Sequence, residues 1–76
     1  MTYKFGQMVT VGKYEVTLTE DRTYGYVEHT VVGELGAVWI QNGTLVDYDG
    51  MYILPMAVVK ALQTMEIEVP ADCYED

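Results

Sequence analysis

The sequence predicts an α+β fold, a four- to five-stranded antiparallel β-meander with one C-terminal helix packed on the sheet. Three observations carry that reading. Two-residue loops at Gly12-Lys13 and Asn42-Gly43 each lie between segments of alternating polarity, as hairpin turns do. Tyr24 to Val32 alternates in the same way. A single stretch, following Pro55, carries its apolar residues at helical spacing.

Taken in order, Gln7–Val11 and Tyr14–Thr19 form the first hairpin, with Gly leading the loop as a type II′ turn prefers. Pairing Val11 with Tyr14 puts Val9, Val11, Tyr14, Val16 and Leu18 on one face and Met8, Thr10, Glu15 and Thr17 on the other. The polar run Glu20-Asp21-Arg22-Thr23 makes the next turn. The third strand, Tyr24 to Val32, sets Val27, His29 and Val31 against Tyr24, Tyr26, Glu28 and Thr30, and Gly33-Glu34-Leu35-Gly36 follows as a loop. Around Asn42-Gly43, the preferred type I′ dipeptide, Trp39 is expected to face Val46, Ala37 to face Tyr48, and Ile40 to face Leu45. The first two pairs make an expected core face; the opposite face, with Val38, Ile40 and Leu45, is more apolar than a solvated face should be. Which of the two the helix covers stays open. Asp49-Gly50 turns the chain out of the sheet, and Pro55 suits the first helical position. Met56 to Glu66 then places Val58, Leu62 and Met65, with Val59 beside them, on one helix face and Lys60, Gln63 and Glu66 on the other. Ile67-Glu68-Val69 reads as a short edge strand stopped by Pro70, and residues 71–76 as a flexible acidic tail on what is otherwise a single domain spanning 1–76.

Twelve acidic residues against four basic ones give a formal net charge of −8. Direct nucleic-acid binding is disfavoured, because Lys4, Lys13, Arg22 and Lys60 are scattered and phosphate neutralisation needs clustered cations. The same field repels anionic membrane and attracts basic protein surfaces. Solubility alone is the simpler explanation of such acidity. Half the residues are hydrophobic, so the chain is no disordered acidic segment. No apolar run approaches the ~18–20 residues of a membrane span, and no leader pattern opens the chain, so a cytoplasmic location is expected. The single cysteine excludes an intramolecular disulfide.

No constellation for catalysis or a cofactor emerges, and no metal site is expected. Asp47 and Asp49 share a strand face, but the third oxygen ligand and later Glu of an EF-hand loop are missing, and a strand end followed by a turn accounts for both. His29, the sole histidine, has no supporting nucleophile motif and reads as a half-buried structural residue. Cys73 lies among carboxylates, which disfavour the thiolate. Tyr24 and Tyr26 share a strand face with Glu28, and Glu15 points outward on the preceding strand. If those strands are neighbours, they form an outer surface of Tyr and Glu suited to Arg and Lys on a partner; the alternative is that the tyrosines complete a small core.

The segment Leu45-Val46-Asp47-Tyr48-Asp49-Gly50, followed by Leu54-Pro55 and a short helix within a compact acidic domain, resembles as a class the anti-CRISPR and anti-restriction inhibitors of phages and mobile elements. The resemblance is one of size, charge and architecture. It implies a non-enzymatic protein that occupies the basic nucleic-acid-binding site of a host defence nuclease complex, in the host cytoplasm. The expected contact residues, taken from the residue pattern, are Glu15, Glu20, Asp21, Tyr24, Tyr26, Glu28, Glu34, Asp47 and Asp49. The alternative expectation is a structural module, a homodimer formed through the apolar face of Val38, Ile40 and Leu45.

Overall fold

The computed structural model describes residues 4–74. Five strands, β1 (Phe5–Val11), β2 (Tyr14–Thr19), β3 (Tyr24–His29), β4 (Gly33–Gln41) and β5 (Thr44–Asp49), pair antiparallel in sequence order. One helix, α1 (Met56–Thr64), lies over β1 and β2, and a 3₁₀ turn, Ala71–Cys73, follows. The expected α+β meander is what the chain forms.

Both hairpin loops follow from their dipeptides. Asn42 and Gly43 have φ of 53° and 77°, the paired positive values of a type I′ turn, and Gly12 alone carries a positive φ, 59°, in its loop. The β1–β2 register pairs Val11 with Tyr14 and Val9 with Val16, as expected, and a bulge between Phe5 and Met8 bends the edge strand.

The helix covers the Ile40/Leu45 side of the sheet. Val16, Leu18, Val27, Val38, Ile40 and Leu45 meet Val58, Val59, Ala61, Leu62 and Met65, with Leu54, Ile67 and Val69 closing the ends. This overturns the expectation that Trp39 and Val46 face the core: they are 37% and 55% exposed. A bulge decides it. Ile40 pairs with Leu45 as expected, but the register then shifts, so that Trp39 pairs with Asp47, Val38 with Tyr48 and Ala37 with Asp49. Leu45 and Tyr48 stand three residues apart, and a regular strand would send them to opposite faces. Accommodating Val46 as the extra residue turns both inward and both aspartates outward.

Further boundaries move for related reasons. β3 ends at His29, and the turn is Thr30–Val32 rather than Gly33–Gly36. His29 Nδ1 accepts hydrogen bonds from the Val31 and Val32 amides, at 3.1 and 3.3 Å, which closes that turn early. Leu35 and Gly36 therefore belong to β4. Pro55 is the residue before the helix, and its carbonyl accepts from the Val58 and Val59 amides. Glu68 makes one parallel bridge to Thr44, a shorter version of the expected edge strand. The expected tail is corrected through Tyr74: the Leu54 amide donates to the Cys73 carbonyl, and Cys73 and Tyr74 pack against the core. The remainder of that expectation, Glu75 and Asp76, lies outside the described residues.

The helix ends in a Schellman motif. The Ile67 amide donates to the Leu62 carbonyl and the Glu66 amide to the Gln63 carbonyl, with Glu66 in the left-handed region at φ 64°. A non-glycine residue there costs about 1–2 kcal/mol, while glycine adds about 0.5–1 kcal/mol of unfolded-state entropy. Glu66→Gly is thus expected to stabilise the protein by about 0.5–1 kcal/mol, read as a rise of a few degrees in Tm. An unchanged or lower Tm would contradict the strain.

Candidate functional site

The face of the sheet opposite the helix is left uncovered, and it collects the residues that the sequence singled out, Glu20 and Asp21 excepted. Since β2 and β3 are neighbours, Glu15 pairs directly with Glu28, and Glu28 in turn with Glu34. Three carboxylates thus form a cross-strand row at one end of the sheet. Directly opposed like charges in a sheet destabilise it. The row is therefore a cost to the free fold.

The next row along the strands is Met8, Thr17, Tyr26, Ala37 and Asp49; the one beyond it runs Tyr24, Trp39 and Asp47, with the Tyr24 amide donating to the Thr19 hydroxyl. Aromatic rings fill the middle of the face. Phe5 meets Tyr26 edge-on, with centroids 5.0 Å apart at 85°, and Tyr24 meets Trp39 at 5.6 Å and 61°. Phe5 and Met8 are themselves exposed. The result is an aromatic band with glutamates at one end and Asp47 and Asp49 along the β5 edge. Sequence reasoning missed Trp39, Phe5 and Met8 in this surface. Trp39 reads from the sequence as part of the expected core face, and which face the helix covers is a tertiary choice, whereas Met8 already reads as outward-facing. Where the sequence left tyrosines between core and surface, the structure puts Tyr24 and Tyr26 on the uncovered face.

Beside the glutamate row a hollow of about 250 Å³ opens, lined by Glu15, Glu28, His29 and the turn 30–33. Val31 and Val32 in that turn are exposed. His29 stacks edge-on against Tyr14 at 5.0 Å while its Nδ1 holds the turn, the structural role expected of it.

Thr17 occupies the middle of the face and is only 6% exposed, and its hydroxyl has no hydrogen-bond partner among the described residues. A buried, unsatisfied hydroxyl costs about 1–3 kcal/mol. Thr17→Val, equal in shape, is expected to raise stability by about 1 kcal/mol in urea titration. A loss of stability would mean that the hydroxyl is satisfied.

Glu20 and Asp21 lie in the β2–β3 turn, at the end of the sheet remote from the glutamates. Glu20 is exposed. Asp21 ties the turn together, since its Oδ1 accepts from the Thr19 hydroxyl at 2.6 Å, the Thr23 hydroxyl at 2.7 Å and the Thr23 amide at 3.1 Å. The Thr19 and Thr23 hydrogen bonds hold its carboxyl below the usual aspartate range. A depressed folded-state pKa contributes stability that is present above the unfolded value and lost as pH falls through the folded one. Acid titration of the wild type should therefore show stability falling below about pH 4, more steeply than in Asp21→Asn. Parallel curves would remove Asp21 from that role.

Val38, Ile40 and Leu45, expected as a self-association face, are 0%, 4% and 1% exposed under the helix. They are core residues, so the homodimer expected through them has no surface to use. Two of the four cations lie elsewhere than the aromatic face: Arg22 donates to the Met65 carbonyl at the helix C-terminus, and Lys60 is exposed on α1, in the opposite layer. Among the described residues, no group of three or more His, Cys, Asp or Glu side chains is placed to hold a metal ion. The Asp47 carboxylate accepts from the Tyr48 amide at 2.9 Å. Burial, followed by the charges of Asp72 and Asp47, pushes the Cys73 thiol up, away from a nucleophile. Among the described residues, no helix is long and apolar enough to cross a membrane.

No protein-family model matches the chain, and comparison with curated proteins and with solved structures gave no match either.

Proposed function

We propose that this protein is a non-enzymatic inhibitor that docks its uncovered sheet face on a basic, nucleic-acid-binding site of another protein. The observation that carries the reading is the pairing of Glu15, Glu28 and Glu34 across three strands, beside an exposed aromatic band. The row works against the free fold, and a cationic partner surface relieves it. The aromatic side chains supply stiff contact area at low entropic cost, and the carboxylates steer the encounter. A partner of this kind, in a phage or mobile-element setting, would be a host defence nuclease complex, with carboxylates standing where phosphates bind. A second copy is a poor occupant, because it would set carboxylates against carboxylates on faces of the same sign.

The test is affinity capture from a bacterial lysate at low salt and at about half-molar salt, using wild type and a Glu15→Lys/Glu28→Lys/Glu34→Lys variant. The expected result is a nucleic-acid-binding protein held by wild type at low salt, released by competitor DNA and not held by the variant. Capture that persists at high salt, or equally in the variant, would overturn the reading.

A further inference from the structure

The chemistry of the partner can be narrowed further, resting on the docking reading above. We infer that the uncovered face selects arginine over lysine, taking one guanidinium between Glu15 and Glu28 in the hollow and another against Trp39 and Asp47.

Consider the second position first. Trp39 and Asp47 are direct cross-strand partners on the outer face. Partners of this kind have Cβ atoms about 4.5–5.5 Å apart. A planar cation lying on the indole can then direct two parallel N–H donors into the neighbouring carboxylate. Tyr24, edge-on to the same indole, extends the wall. An ammonium offers no plane to stack and no fork to match, and it gives up its hydration less readily. At the other end, Glu15 and Glu28 are likewise direct partners, and the hollow beside them is walled by Val31 and Val32. That combination suits an aliphatic stem that carries a donor fork able to reach both carboxylates.

Between the two positions lies Thr17. Its hydroxyl is buried, with no partner among the described residues, in the row between Met8 and Tyr26. Its lone pairs await a donor, and Met8, unbranched and 56% exposed, is the neighbour able to move aside. The five N–H donors of a guanidinium exceed what one carboxylate accepts, which leaves a donor for such an acceptor. Along β3 from Glu28 to Tyr24, the two positions are separated by four residues, about 13 Å of extended strand.

The probes are octa-arginine and octa-lysine peptides, blocked at both ends and so equal in charge. The sole tryptophan of the chain is Trp39, so its fluorescence reports contact at the second position directly. Octa-arginine is expected to bind about tenfold more tightly than octa-lysine at low salt and to shift Trp39 emission. Trp39→Ala, followed by tyrosine fluorescence or calorimetry, should shrink that preference to about twofold, with the fold verified by circular dichroism. Equal affinities of the wild type for the two peptides would overturn the inference while leaving the acidic docking surface standing. Failure to bind either peptide at low salt would overturn the docking reading along with it. The wild-type comparison decides the matter even if the variant does not fold.

Discussion

Gly36→Ala is expected to remove roughly half of the protein's stability. Gly36 faces Asp49 and Gly50 where β4 meets the end of β5. A Cβ on Gly36 would collide with the Asp49 carbonyl oxygen and lie 2.9 Å from its carbon and 3.0 Å from the Gly50 Cα. Those are backbone atoms, which cannot rotate out of the way as a side chain can. The approach is reciprocal, since a Cβ on Gly50 would meet the Leu35 carbonyl and lie 2.7 Å from the Gly36 Cα. Relief requires parting the strands, which breaks the Ala37–Asp49 pairing and lifts Tyr48 from the core. Backbone clashes of this kind cost about 3–5 kcal/mol, against about 4–11 kcal/mol for a domain of this size. The urea midpoint should fall by about half at constant m-value. A change within about 0.5 kcal/mol would show that the strands do not approach so closely.

Reversing the central charge of the glutamate row should separate folding from function. Glu28→Lys places a cation between Glu15 and Glu34, turning two repulsive cross-strand pairs into attractive ones. Each such pair is worth about 0.2–1 kcal/mol, so a gain of about 1 kcal/mol is expected at low salt, shrinking as salt rises. Binding should move the other way. The single reversal at half-buried Glu28 should weaken affinity about threefold, whereas reversal of all three glutamates should weaken it more than about a hundredfold. The triple variant should show no stabilisation, because three lysines repel as three glutamates do. Thermal denaturation and titration with octa-arginine measure the two sides. A Glu28→Lys protein that is less stable and binds unchanged would make the row an ordinary solvated surface.

Much of the architecture was legible in local chemistry. Asn42-Gly43 and Gly12-Lys13 dictate hairpins because their backbones tolerate positive φ, and that preference acts over four residues. The spacing of Val58, Val59, Leu62 and Met65 likewise names the buried helix face without reference to the sheet. The outward placement of Glu15, Tyr24, Tyr26 and Glu28 follows from strict alternation, and adjacency in a meander brings their strands together. Other features had no local signal. The extra residue at Val46 is stabilised by burying both Leu45 and Tyr48 against an element some ten residues further on, and it changes the face of everything beyond it in β5. The turn at Thr30–Val32 depends on a histidine nitrogen folding back onto two amides. The last turn, Ala71–Cys73, is held by a hydrogen bond from Leu54, which is distant in sequence.

By itself, then, the sequence determined the meander, the helix and the acidic outer strands, because periodicity and turn preference act between residues a few positions apart. Only the tertiary structure decided that Trp39 belongs with Glu15, Glu28 and Asp47 on the open face while Val38, Ile40 and Leu45 lie beneath the helix. A sheet with two apolar faces and one helix has two ways to pack. The choice rests on the summed burial of some fourteen side chains and on one bulge that carries Asp47 out of the interior, where an unpaired carboxylate could not remain.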